Sequence, residues 1–371
     1  MGLKFVMRQW IKMAVQRFFL PLVYRVYKHG KIDEKLIVFA DAHHSGLPYS
    51  METIRGEIGK LDYKIVDLYV DYQKESYLKT IKAMILFMKY YAKARYVFIC
   101  DNFLPVASCK KRKETTVIQL WHAGGILKKY AYDTEDDIPP FYKGNVFKNY
   151  DFLTVSAKCC IPVYNRAMRQ PEGVVHATGL SKTDRFFDAA YIDKCKMQFL
   201  EMHPEHKEKK LILWAPTFRG KASDPYVIGL EEIRTLQQQL GDKWHIIIKA
   251  HPHVDSKGKV SNCDIPTEQL LPVADLLIVD YSSVLFDYVL LNKPMVLFAP
   301  DLEHYERERG FYIDYRSIPG TLALDGSKLK ESVIKELEEF DVEKIKIFKN
   351  KYMGACDGKA TNRILKELNI K

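Results

Sequence analysis

The sequence predicts an α/β chain built from two doubly wound units, and three observations predict it. Short apolar runs alternate with stretches of helical spacing, which is the pattern of a parallel sheet covered by helices. The alternation pauses in a charged stretch around residues 194–210 (KCKMQFLEMHPEHKEKK) and then restarts. At 371 residues the chain has room for two such units of ordinary size.

The runs that read as strands come in order: LIVFAD (36–41), YKIVDLY (63–69), RYVFIC (95–100), TVIQLW (116–121) and DFLTVS (151–156), then LILWAP (211–216), WHIIIKA (244–250), ADLLIVD (274–280) and PMVLFA (294–299). The division expected from them is a basic segment at 1–31, a first domain at 32–195 and a second at 196–371, with a cleft between the two. The final helix-like segment, 359–370, has no strand after it and is expected to cross back onto the first domain by analogy with two-domain folds of this kind.

Composition narrows the class. Hydrophobic residues make up 47% and aromatics 12%, which excludes disorder as the default state. The seven cysteines form an odd set without C-x-x-C spacing, against a disulfide framework or zinc ribbon and in favour of a reducing compartment. A net charge of +10 suits an anionic partner without separating nucleic acid, phospholipid and nucleotide.

Residues 1–31 carry Lys4, Arg8, Lys12, Arg17, Arg25, Lys28 and Lys31 and no acidic residue, interleaved with Phe5, Trp10, Ile11, Phe18, Phe19, Leu20 and Leu22. The run from Phe18 to Tyr24 is far short of the roughly 20 apolar residues of a spanning helix. No small-residue cleavage site follows, and MGLKFV lacks the Ser or Thr of a myristoylation signal. The segment reads as a helix lying in an anionic membrane interface, with packing on the protein's own core as the alternative. Residues 79–96 (KTIKAMILFMKYYAKARY) repeat the mixture and read equally as a second membrane contact or a crossover helix with snorkelling lysines.

Neither G-x-G-x-x-G nor G-x-x-x-x-G-K-[ST] occurs, so a dinucleotide dehydrogenase and a P-loop NTPase lose their main support. The informative residues instead follow strand ends, where open α/β sheets bind ligands. Asp280, Tyr281, Ser282 and Ser283 stand between ADLLIVD and a helical stretch, where a serine caps the helix and hydroxyls and free N–H groups make a phosphate cradle. Lys249 and His251 close WHIIIKA, and Pro252 stops the strand there. His251 and His253 lack a carboxylate at metal-ligand spacing, so no metal is expected. Thr217 and Arg219 follow LILWAP, and an arginine fork suits a diphosphate. At TVIQLWHAGGILKK, His122 ends a strand, Gly124 and Gly125 permit close backbone approach, and Lys128 and Lys129 add charge. An imidazole there is suited to accept a proton from an alcohol. Asp41-Ala42-His43-His44-Ser45-Gly46 ends the first strand without an assigned chemistry.

Taken together, QLWHAGGILKK, ILWAPTFRG, IIIKAHPH, ADLLIVDYSSVLFDY and DLEHYERERGFYIDY resemble the CDP-glycerol glycerophosphotransferases of teichoic-acid synthesis, over about residues 110–320. Weaker similarity extends to 36–60 and to DGKATNRIL (357–365). The resemblance implies a glycosyltransferase-B type fold, peripheral on the cytoplasmic face of the cell membrane. It also implies transfer of glycerol phosphate from CDP-glycerol to a hydroxyl of a lipid-linked saccharide of the undecaprenyl-diphosphate type, with release of CMP, no cofactor and no nucleic acid. On that basis His122 is the acceptor's base, His251 contacts the donor phosphates, Ser282 and Ser283 hold the diphosphate, and Arg219 and Arg309 stabilise charge. Many polymerising members read W-H-G-T-P-L-K-K, whereas W-H-A-G-G-I-L-K-K here is closer to the priming enzymes, and the short length leans the same way. The rivals are a polymerising glycerol- or ribitol-phosphate transferase, a nucleotide-sugar glycosyltransferase of the same fold, and a non-catalytic basic binding protein.

Overall fold

The computed structural model describes residues 3–134, 137–138, 141–221, 224–250, 254 and 263–371. The chain divides into two compact units. Unit 1 comprises Met1–His122, Tyr130–Asp184 and Ala355–Lys371; unit 2 comprises Ala123–Lys129 and Arg185–Gly354.

Unit 1 is built on a six-stranded parallel sheet of β1 (Asp33–Asp41), β2 (Lys64–Tyr69), β3 (Ala94–Ile99), β4 (Thr116–Gln119), β5 (Phe152–Thr154) and β6 (Val175–His176), in the order β2-β1-β3-β4-β5-β6. The central strand β1 is buried without a break from Leu36 to Asp41, which is why its sequence is a continuous apolar run rather than an alternating one. One core layer joins Ile37, Phe39, Ile54, Phe98 and Ile118 to Ile364, Leu368 and Ile370 of the last segment. That segment is seated tightly. Asp184 accepts from the backbone of Ala360 and Thr361 at 2.9 and 2.8 Å, and a Cβ on Gly179 would stand 2.2 Å from the Ala355 carbonyl oxygen.

The first described residues form a helix Leu3–Ala14, one π-helical stretch Val15–Phe19 and a helix Leu20–Tyr27. The π stretch resets the register so that Met13, Gln16, Leu20 and Tyr24 are all buried. Arg112 ties the segment down, its N–H donating to the Tyr24 hydroxyl at 3.0 Å. The opposite side leaves Met7, Trp10, Ile11, Phe18, Leu22 and Val26 more than half exposed. Lys12 turns inward, over the Tyr142 ring, and burial pushes its amine down. The helix Tyr77–Tyr91 buries Phe87, Met88 and Tyr91 and exposes Tyr77, Leu78, Ile81 and Leu86. Among the described residues no helix is long and apolar enough to cross a membrane.

Unit 2 has a five-stranded parallel sheet of β7 (Lys210–Ala215), β10 (Trp244–Ile248), β11 (Leu276–Val279), β12 (Met295–Phe298) and β13 (Thr321–Ala323), in the order β10-β7-β11-β12-β13, and a small antiparallel hairpin of β8 (Arg219–Lys221) and β9 (Asp224–Tyr226). Its core joins Ile212, Trp214, Ile278, Val296 and Phe298 to Ile233, Leu236 and Val333 of the covering helices. The break at Asp184/Arg185 precedes the one expected at 195, because the charged stretch is the solvated face of the helix Ala189–Met202, already part of unit 2.

Candidate functional site

In unit 1 the chemistry gathers at the carboxyl ends of β1, β3 and β4. His122 follows β4, with Nδ1 3.3 Å from the Cys100 carbonyl oxygen and 3.5 Å from Asp101 Oδ2; its side chain is 47% exposed, so the ring can meet a substrate. The preceding Trp121 holds φ +54°, a left-handed conformation that costs a bulky residue on the order of 1–3 kcal/mol. Gln119 holds it there. The fully buried amide accepts from the Trp121 N–H at 3.0 Å and donates to the Asp101 carbonyl at 2.9 Å, so one side chain fixes both the turn before His122 and the loop carrying its carboxylate neighbour. Packing of Trp121 against Tyr130 and Tyr164 offsets part of the strain.

A second imidazole–carboxylate pair ends β1. Buried Asp41 accepts from the backbone of His43 and His44 and from His44 Nδ1 at 2.9 Å. Burial alone would raise the Asp41 carboxyl, but the bonds from His44 and His43 outweigh it and hold it below the usual range. The bond to Asp41 raises the His44 imidazole in turn.

In unit 2, Asp280 ends β11 and is the hub of a buried tie. Its Oδ1 accepts from the Thr217 N–H at 2.8 Å and its Oδ2 from Arg219 at 3.0 Å. Arg219 also forms a two-bond fork with Asp301 at 2.7 and 3.0 Å, donates to the Thr217 carbonyl at 2.7 Å, and lies over the Tyr281 and Tyr305 rings. Burial pushes the Asp280 carboxyl up, with Arg219 opposing, and the bond from Arg219 outweighs burial at Asp301 to hold that carboxyl low. The guanidinium that reads as a diphosphate fork in the sequence is thus engaged by carboxylates and locks the loop after β7 to the ends of β11 and β12. Asp301 opens the block DLEHYERERGFYIDY without an assigned chemistry there. Thr217 Oγ1, buried, has no hydrogen-bond partner among the described residues.

Ser282 accepts weakly from the Val284 N–H at 3.4 Å, whereas Ser283, at the cap position of the helix Val284–Tyr288, makes no side-chain cap bond. Of the two serines that could cap this helix, Ser283 does not, because its backbone is already helical. Tyr281 is core: it stacks on Tyr305 at 3.9 Å and donates to Asp301 at 2.9 Å. Lys249 donates from Nζ to the Cys263 carbonyl at 2.6 Å. His251 and His253 lie outside the described residues.

The segment Ala123–Lys129 packs within unit 2. Lys128 bridges Phe311, the Lys129 N–H donates to the Gly310 carbonyl at 3.1 Å, and Arg309 Nε donates to the Lys129 carbonyl at 2.8 Å. Gly125 has φ +61°, and a Cβ there would stand 2.2–2.4 Å from the Phe286 ring. A Cβ on Gly124 would stand 2.9 Å from the Met353 side chain. The close approach that these glycines permit is therefore to Phe286 and Met353. Within unit 2 it brings the A-G-G-I-L-K-K segment to the D-Y-S-S-V-L-F motif, together with Lys128 and Arg309.

Comparison with known proteins follows the same lines. Residues 22–369 match the family described as CDP-Glycerol:Poly(glycerophosphate) glycerophosphotransferase. A teichoic acid ribitol-phosphate primase of Bacillus spizizenii is 32% identical over 293 residues, 74% of each chain. A teichoic acid glycerol-phosphate primase of Bacillus subtilis is 32% identical over 323 residues, 81% of this chain and 78% of the relative. The solved wall teichoic acid polymerase TagF superposes with a TM-score of 0.76 at 22% identity, over 98% of this chain and 96% of that one. The fold is accordingly α/β with two parallel sheets, of the glycosyltransferase-B type.

Proposed function

The chain belongs to the CDP-glycerol:poly(glycerophosphate) glycerophosphotransferase family, and from that premise we propose that it primes a teichoic acid, moving glycerol phosphate from CDP-glycerol to a hydroxyl of a lipid-linked saccharide with release of CMP. In coarser terms it is a teichoic-acid biosynthesis transferase of glycerol or ribitol phosphate. The priming reading rests on the W-H-A-G-G form of the motif, and glycerol is taken as the cargo from the family description.

In the proposed step the acceptor oxygen attacks the glycerol-bearing phosphorus in line. The bond from that phosphorus to the CMP oxygen breaks, CMP leaves with the electron pair, and the acceptor's proton passes to His122. The observation that carries this reading is His122 itself, half exposed at the end of β4 with Asp101 beside it and a strained turn held by Gln119. Such preorganisation is what phosphoryl transfer needs, because positioning and charge stabilisation dominate it. For the donor, Ser282, Ser283, the unpartnered Thr217 hydroxyl, Lys249, Lys128, Arg309 and His251 are the proposed diphosphate contacts, with Gly124 and Gly125 seating their segment. Arg219 and Asp280 are positioning residues for Thr217. The exposed apolar side chains of residues 1–31 support a peripheral seat on an anionic, cytoplasmic membrane face.

Incubation of the full chain with CDP-glycerol, CDP-ribitol or nucleotide sugars, plus a lipid-linked disaccharide, tests the proposal by CMP release and product mass. The expected product carries one glycerol phosphate, and His122→Ala is expected to lower its formation by roughly 10²–10⁴-fold. No CMP from any CDP-alcohol, or transfer at full rate by His122→Ala, would overturn the reading.

A further inference from the structure

We propose that unit 2 carries a second site, for a zinc-class transition-metal ion, formed by His203, Glu205 and His206. The helix Ala189–Met202 runs out at His203, and Pro204–His206 make one tight turn, so that three donors converge within four positions of sequence. Glu205 Oε1 lies 3.5 Å from His203 Nδ1 and 3.3 Å from His206 Nε2, and the three ligand atoms all fall within 4.8 Å of one another. A tetrahedral ion with bonds near 2.1 Å separates its ligands by about 3.4 Å. Two of the three edges already have that length, and the third closes with a small side-chain rotation.

The donor set selects the ion class. Two imidazoles and a carboxylate suit zinc and its late first-row neighbours, whereas magnesium and calcium want oxygen throughout. Of the three ligands His206 is 8% exposed. It lines a cavity of ≈ 370 Å³ with His203, Phe199, His245 and Cys263. His245 stacks on it at 3.7 Å.

The cavity runs along Ile246, Ile247 and Ile248 of the edge strand β10 to Cys263, whose carbonyl accepts from Lys249, and a bound ion pins the turn that ends the helix Ala189–Met202. The inference is independent of the transferase reading.

Full-length protein stripped with chelator and titrated calorimetrically with Zn²⁺, with metal content read after desalting, decides it. The expected result is about one ion per chain. The pair His203→Ala with His206→Ala should abolish uptake, and Glu205→Gln, at an exposed position, should weaken it by roughly tenfold or more. The pair His251→Ala with His253→Ala should retain it. Circular dichroism reports whether each variant is folded; if the His203/His206 pair fails to fold, Glu205→Gln and the single change His203→Asn decide. No zinc uptake by the stripped protein, or uptake that survives the changes at 203, 205 and 206, overturns the proposal.

Discussion

Trp121 pays for its φ of +54° by placing the next residue, and the interesting partner in that arrangement is Gln119. A buried amide that bonds both the strained N–H and the Asp101 carbonyl couples His122 to the carboxylate 3.5 Å from it. Asp101 had no signal in the sequence beyond following RYVFIC, since an Asp at a strand end is common; what selects it is the neighbouring position of β3 and β4 in the sheet. Asp101→Asn keeps the shape and removes the charge. It is expected to lower kcat on the order of tenfold with the KM for CDP-glycerol unchanged, which steady-state kinetics measures. An equal loss in KM would place Asp101 with the donor instead.

Nine apolar runs of the sequence became nine strands; β11 and β12, buried along their whole length, are continuously apolar, whereas the edge strand β2 has no buried residue and carries Lys64 and Asp67. The pieces that escaped are short: β6 has two residues, β13 three, and the β8–β9 hairpin three on each side, too few for a period to show. The site was legible to a similar depth. His122, Lys128, Arg309, Asp280 and the two serines could be picked out one by one, but the pairing of Arg219 with Asp280 and Asp301 could not, because the partners are 61 and 82 positions away in sequence. The amino-terminal helices show the same limit, since their basic and apolar residues were visible whereas the π stretch that decides which of them face inward was not. Their outward face gives an expectation at the level of the element. Removing residues 1–31 should weaken binding to anionic liposomes and the use of a lipid-linked acceptor, and spare a soluble acceptor analogue. Equal liposome sedimentation of the two proteins would contradict it.

The polypeptide passes between its units four times, at 122/123, 129/130, 184/185 and 354/355. Unit 1 therefore depends on the last residues of the chain. Ile364, Leu368 and Ile370 are at most 9% exposed in its core, and burying each is worth roughly 1.5–3 kcal/mol. Together they approach the whole stability of an ordinary domain, about 5–15 kcal/mol. A chain ending at Gly354 is expected to lose hydrogen-exchange protection through β1–β6 while keeping it in β7–β13; protection retained in both sheets would show that the last segment is dispensable. The same threading sets the order of events at the ribosome. Domains ordinarily fold from the amino end as they emerge, yet here unit 2 has its full sequence once Gly354 is made, and unit 1, begun first, waits for the terminal seventeen residues that follow. The half that starts the chain is the half that finishes last, and a stalled or clipped product would present a complete unit 2 beside an open sheet.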